Sequence, residues 1–170
     1  MKTSKLLTAV LLAGLAAPAW AEGPNPAVDM SGHLRVSGDA ARHRRHRLVS
    51  EDTFIRMSRQ PGAIVLDARS SERYGELHVK GAVNLSFPDI AYESLRRLIP
   101  DRNTRILIYC NNNFLNEPNA FPSKALTASL NVHTINALYA YGYTNVFELG
   151  PLIDIRESKI KFEGAALPTS

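Results

Sequence analysis

Ile106-Leu107-Ile108-Tyr109-Cys110-Asn111-Asn112-Asn113 is an apolar run that ends on a cysteine and breaks into three asparagines. Consecutive apolar, partly β-branched residues without polar alternation describe a strand covered on both faces. Asparagine is depleted from strands and tolerates left-handed backbone, so the chain turns at Asn111. Cys110 therefore sits where a buried parallel strand ends and a loop begins, the edge at which open α/β sheets bind ligands. It is the chain's 1 cysteine. A lone thiol there is either a small buried hydrophobe or a nucleophile.

Outward from this strand, the same grammar repeats. Leu48-Val49 is a short apolar entry. Ser50, followed by Glu51 and Asp52, opens a helix with a hydroxyl cap and acids facing the positive end of the dipole. Gln60-Pro61-Gly62 stops it. Ala63-Ile64-Val65-Leu66, ending on Asp67, and Ala82-Val83-Asn84-Leu85 read as two more strands. Pro88 is expected to open a helix whose buried stripe is Ile90, Ala91, Leu95 and Leu98. Val132, Ile135, Leu138 and Tyr139 stand at helical spacing, with Asn131 as the expected cap and Gly142 as the stop. Asn145 to Leu149 is a last strand. Strands alternating with helices imply an α/β fold: a mostly parallel five-stranded sheet with helices on both faces.

The N-terminus reads differently. Lys2 and Lys5, an apolar run from Leu6 to Ala17, and Ala19-Trp20-Ala21 describe a cleaved signal peptide over residues 1–21. No stretch is long enough to span a membrane. Export to an oxidising compartment, periplasmic or beyond, makes an unpaired thiol notable, because it has no internal disulfide partner. Residues 22–46 hold several Gly and Pro and read as an irregular cap ending in the basic block that starts at Arg42. The block Arg42-His43-Arg44-Arg45-His46-Arg47 reads as a solvated helical face in preference to an anion patch. Without Lys2 and Lys5 the chain has 18 basic against 16 acidic residues. That balance, with no binding motif, argues against nucleic acid.

Four stretches taken together resemble one family. They are Asp67-Ala68-Arg69-Ser70, then Tyr74 before His78-Val79-Lys80-Gly81-Ala82-Val83-Asn84-Leu85, then Cys110, then Tyr141-Gly142-Tyr143-Thr144-Asn145-Val146. The pattern is similar to the rhodanese-like domain, from about Leu48 to Asp154. The resemblance implies a cysteine that carries sulfur as a persulfide, and sulfurtransferase activity. It implies no metal and no organic cofactor. The partners it implies are a small sulfur donor or acceptor, such as thiosulfate, polysulfide, or a protein or low-molecular-weight thiol. The divisions expected are a signal peptide (1–21), an irregular basic segment (22–46), the rhodanese-like domain (47–164) and a tail (165–170).

Two departures matter. Family members usually have a short loop after the cysteine that carries Arg or Lys, whereas Asn111 to Pro122 has neither. The first cation is Lys124, which is the candidate to replace it. The Cys-x5-Arg spacing of tyrosine phosphatases and arsenate reductases is also absent, since position 116 is Asn. Cys110 is the candidate nucleophile, which must be activated from a thiol pKa near ~8.5. Backbone N–H groups after Cys110 and the following helix N-terminus are the expected donors. Asn111, Asn112, Asn113, Lys124 and Arg69 are candidate substrate contacts; Asp67 and His78 are read as structural. A second reading stays open, in which the long segment closes over Cys110. The chain is then an inactive rhodanese-fold module that binds a periplasmic protein.

Overall fold

The structure, a computed structural model, describes residues 25–166. The expected signal peptide and residues 167–170 lie outside them. In chain order the elements are α1 (Met30–Arg44), β1 (Leu48–Val49), α2 (Glu51–Ser58), β2 (Ile64–Asp67), α3 (Ser71–Glu76), β3 (His78–Val79) and β4 (Val83–Asn84). There follow α4 (Tyr92–Leu98), β5 (Ile106–Tyr109), β6 (Phe114–Leu115), α5 (Leu130–Ala140), β7 (Val146–Leu149), β8 (Ile153–Asp154) and β9 (Phe162–Glu163).

Five strands form one parallel sheet in the order β1-β7-β5-β2-β4. The α/β architecture read from the strand and helix alternation is therefore the observed one. β5 lies at its centre, between β2 and β7. All four of its residues are buried, which is why the strand carries no polar alternation. Its side chains divide between two cores, as the pleat requires. Leu107 and Tyr109 join Phe54, Val65 and Leu149 on one side; Ile106 and Ile108 join Leu66, Leu95, Ile135, Leu138 and Ala40 on the other.

Local signals explain most boundaries. Ser50 Oγ accepts the Thr53 N–H at 3.3 Å and caps α2. Gly142, at φ +85°, ends α5. There Gly142 N–H donates to Tyr139 O and Tyr143 N–H to Leu138 O, the paired bonds of a left-handed helix stop.

Three expectations are corrected. Residues 30–44 are helical rather than irregular, and Ala40 of α1 is fully buried in the core that α5 shares. Pro88 opens only a 3-10 turn, Phe87–Asp89, and α4 starts at Tyr92. Asn131 is not the cap of α5; Ser129 holds that position. At the start of the tail, the Ala165 and Ala166 N–H groups donate to Gly75 O and Glu76 O.

The segment after Cys110 is anchored. Asn111–Asn113 form a 3-10 turn, and β6 pairs with β8. Phe114, Ala120 and Phe121 then bury in the core on the α2 side, where Phe114 and Phe121 meet Phe162.

Candidate active site

Asp67 and Arg69 form a buried ion pair. Asp67 ends β2 and is fully buried; Arg69 is 2% exposed. Arg69 Nε and Nη2 donate to the Asp67 carboxylate, Nη2 also to Leu77 O at 2.7 Å, and Nη1 to Ala120 O at 2.8 Å. Burial opposes the Arg69 charge, but the Asp67 bond overrides it and the guanidinium pKa is raised. The Tyr109 hydroxyl donates to Asp67 and accepts the Val79 N–H at 3.1 Å. Burial, then the Asp67 charge, holds the phenol well above its ordinary pKa. This network ties β2, β5, the β3 edge and the long segment together.

Cys110 follows directly on β5 and is 1% exposed. It lines a cleft of about 280 Å3 together with Asn112, Asn113, Ser129, Asn131, Glu148 and Arg44. Ser129 Oγ lies 3.3 Å from Cys110 Sγ, within hydrogen-bond reach. Ser129 precedes α5, so the N-terminus of that helix opens toward the thiol. The positive end of a helix dipole favours negative charge in the cleft. Asn111 and Asn112 supply the first N–H groups of the 3-10 turn, which have no acceptor inside it.

A polar chain runs across the cleft from Cys110. Asn113 Oδ1 accepts the Cys110 N–H at 2.9 Å and an Asn131 Nδ2 proton at 3.2 Å. Asn131 Nδ2 also donates to Glu148 Oε1 at 3.1 Å. Arg44 grips both oxygens of Glu148, Nη2 to Oε1 at 2.8 Å and Nε to Oε2. The Glu148 side chain is 6% exposed and that of Arg44 36%. The bond to Glu148, against burial, holds the Arg44 pKa above its ordinary value.

The model of the rhodanese-like domain matches residues 50–150. The chain belongs to the rhodanese-like domain family. Thiosulfate sulfurtransferase PspE of Escherichia coli (strain K12) is 28% identical over 96 residues, covering 56% of this chain and 77% of PspE. The crystal structure of the BH2092 protein from Bacillus halodurans superposes with a TM-score of 0.50 at 22% identity, over 76% of this chain and 87% of that one. The rhodanese-like domain of the Anabaena sp. Alr3790 protein gives a TM-score of 0.50 at 17% identity, over 73% and 86%. These likenesses speak for the fold.

Within this rhodanese-like frame, the expected site residues separate. Cys110, Asn112 and Asn113 come together at the cleft. Asn113 is nevertheless committed to the scaffold, its Nδ2 donating to Leu149 O and Pro151 O. The Asn112 amide is bound both ways to the Lys124 backbone, at 2.8 and 3.2 Å. Asn111 is buried outside the cleft lining, and its Oδ1 finds no partner among the described residues. Arg69 turns its donors to Asp67, Leu77 O and Ala120 O and does not line the cleft. Lys124 is exposed and does not line the cleft, whose cation among the described residues is Arg44 of α1. His78 is held by Tyr74 O at 2.7 Å and Glu163 at 3.3 Å, stacked on the Tyr74 ring.

Arg44, Glu148, Ser129 and Asn131 are the cleft residues that sequence reasoning passed over. Glu148 left a trace, a carboxylate inside an otherwise apolar strand. Arg44 was visible only as one member of a basic block, and it lies outside the 50–150 rhodanese-like match.

Proposed function

We propose that this protein is an exported sulfurtransferase that moves sulfane sulfur through a persulfide on Cys110. The observation that carries the reading is Cys110 itself: a sole thiol at the C-terminal end of the central parallel strand, facing a cleft with hydroxyl, amide and helix N-terminal donors. The likeness to a thiosulfate sulfurtransferase supports the same chemistry. The Cys110 thiolate attacks the outer sulfur of the donor, a sulfur–sulfur bond forms to the enzyme, and the donor's own sulfur–sulfur bond breaks with its electron pair leaving on the remainder. A thiol acceptor reverses the pattern. Two steps replace one, as in other covalent catalysis. Ser129 and the turn N–H groups offer hydrogen bonds to the terminal sulfur. Lys2, Lys5, the apolar run and Ala19-Trp20-Ala21 support export of the mature chain.

The test is the intact mass of the mature protein after incubation with thiosulfate, with polysulfide, or with an organic persulfide, beside Cys110→Ser. The expected result is a gain of one sulfur that cyanide removes and that C110S never acquires. No gain from any donor, with Cys110 reduced and slow to alkylate, would overturn it.

A further inference from the structure

The cleft around Cys110 holds one cation and one carboxylate. Among the described residues that line it, only Arg44 and Glu148 carry full charge, and they are bonded to each other through two donors. Glu148 is further fixed by Asn131, which is in turn fixed to Asn113 and so to the Cys110 backbone. The guanidinium is therefore already neutralised at the place where a donor must approach the thiol. Lys124, the next cation along the segment, does not line the cleft.

We propose that the Arg44–Glu148 pair makes this site charge-neutral and thereby selects sulfur donors that bring at most one negative charge, organic persulfides, over doubly charged oxyanions such as thiosulfate. The proposal rests on the sulfur-transfer reading. With a persulfide, the Cys110 thiolate takes the outer sulfur of R–S–SH, the enzyme becomes Cys110–S–SH, and R–S⁻ leaves with the electron pair. One negative charge stands on each side of that step. With thiosulfate, a thiolate and a dianion must meet, and sulfite leaves as a dianion. Three negative charges then share a cleft whose two charged side chains cancel, leaving only hydroxyl, amide and helix N-terminal dipoles to offset them. One full charge at about 5 Å alters binding by about fourfold in a water-like medium and by more than a hundredfold at an effective dielectric of about 20. The discrimination is set in part from α1, outside the stretch that the family match covers.

The experiment compares kcat and KM for thiosulfate and for the persulfide of N-acetylcysteine methyl ester, whose only ionisable group is the persulfide that reacts as R–S–SH. Wild type, Glu148→Gln, Glu148→Asp and Arg44→Met are measured, with folding checked by circular dichroism. Wild type should favour the persulfide. E148Q frees the Arg44 charge, so the ratio of kcat/KM for thiosulfate to that for the persulfide should rise at least about tenfold, mainly through the thiosulfate KM. E148D should keep the wild-type ratio, and R44M should shift it further against thiosulfate. A wild-type preference for thiosulfate, or a folded E148Q with an unchanged ratio, would overturn the proposal. In parallel, thiosulfate affinity is measured calorimetrically for C110S and for C110S/E148Q. Tighter binding to the double variant supports the charge assignment even where Cys110 takes up no sulfur, an outcome that would sink the sulfur-transfer reading by itself. Equal binding counts against the assignment.

Discussion

Arg69 reaches the Asp67 carboxylate and two backbone carbonyls from a position that is almost closed to water. Such a pair contributes little net stability when intact, but losing one partner strands a buried charge. Arg69→Met should therefore destabilise the fold by about 3–5 kcal/mol, read from urea denaturation. Tyr109→Phe, which removes a hydroxyl bonded to Asp67 and Val79, should cost about 1–3 kcal/mol. Asp67 and Arg69 were legible because they sit two positions apart after a strand. Arg44 and Glu148 were not: they are 104 positions apart, and no periodicity encodes a contact of that kind. Lys124 is the nearest cation to Cys110 along the sequence, but the Asn112 amide holds its backbone and it does not line the cleft.

The segment between Cys110 and α5 looked like a loop and behaves as part of the core. Phe121 is 2% exposed and packs on Phe114, Phe162 and the Arg69 guanidinium. Phe121→Ala should cost about 3–5 kcal/mol, as for a core aromatic, and not the few tenths of a loop substitution. A urea midpoint within error of wild type would contradict that role. The buried aromatics were invisible as an element because they come singly, with no run and no regular spacing. α1 was missed for a related reason. Gly32 and Gly38 interrupt it, and Ala40 is its one fully buried hydrophobic residue, so its sequence shows no apolar stripe. Its helix is supported by docking beside α5 and by the Arg44–Glu148 bond, both tertiary. The sheet strands, by contrast, were readable almost to the residue, since a doubly covered strand must be continuously apolar.

Across the whole molecule, the C-terminal strand β9 returns to close the edge at β3, and Glu163 holds it there. Its carboxyl accepts the Gly81 N–H at 2.9 Å, and that bond, opposed by burial and aided by His78, keeps its pKa below the ordinary 4.5. A depressed folded pKa means the contribution is present above the unfolded value and is lost as pH falls through the folded one. Wild type should therefore lose stability more steeply than Glu163→Gln between about pH 5 and pH 3, followed by thermal midpoints. Parallel slopes would remove Glu163 from the account. The layered sheet and the position of Cys110 were evident in the sequence; the closing of this edge and the charge balance of the cleft depend on residues brought together from both ends of the chain. The solitary thiol has one more consequence, for damage and repair. Peroxide converts a cysteine first to a sulfenic acid, which a neighbouring thiol can rescue by forming a disulfide. With 1 cysteine in 170 residues, this chain carries no such rescuer. Every oxidative hit on Cys110 must be reversed by a thiol from solution able to enter the same cleft, or it proceeds to the irreversible acids.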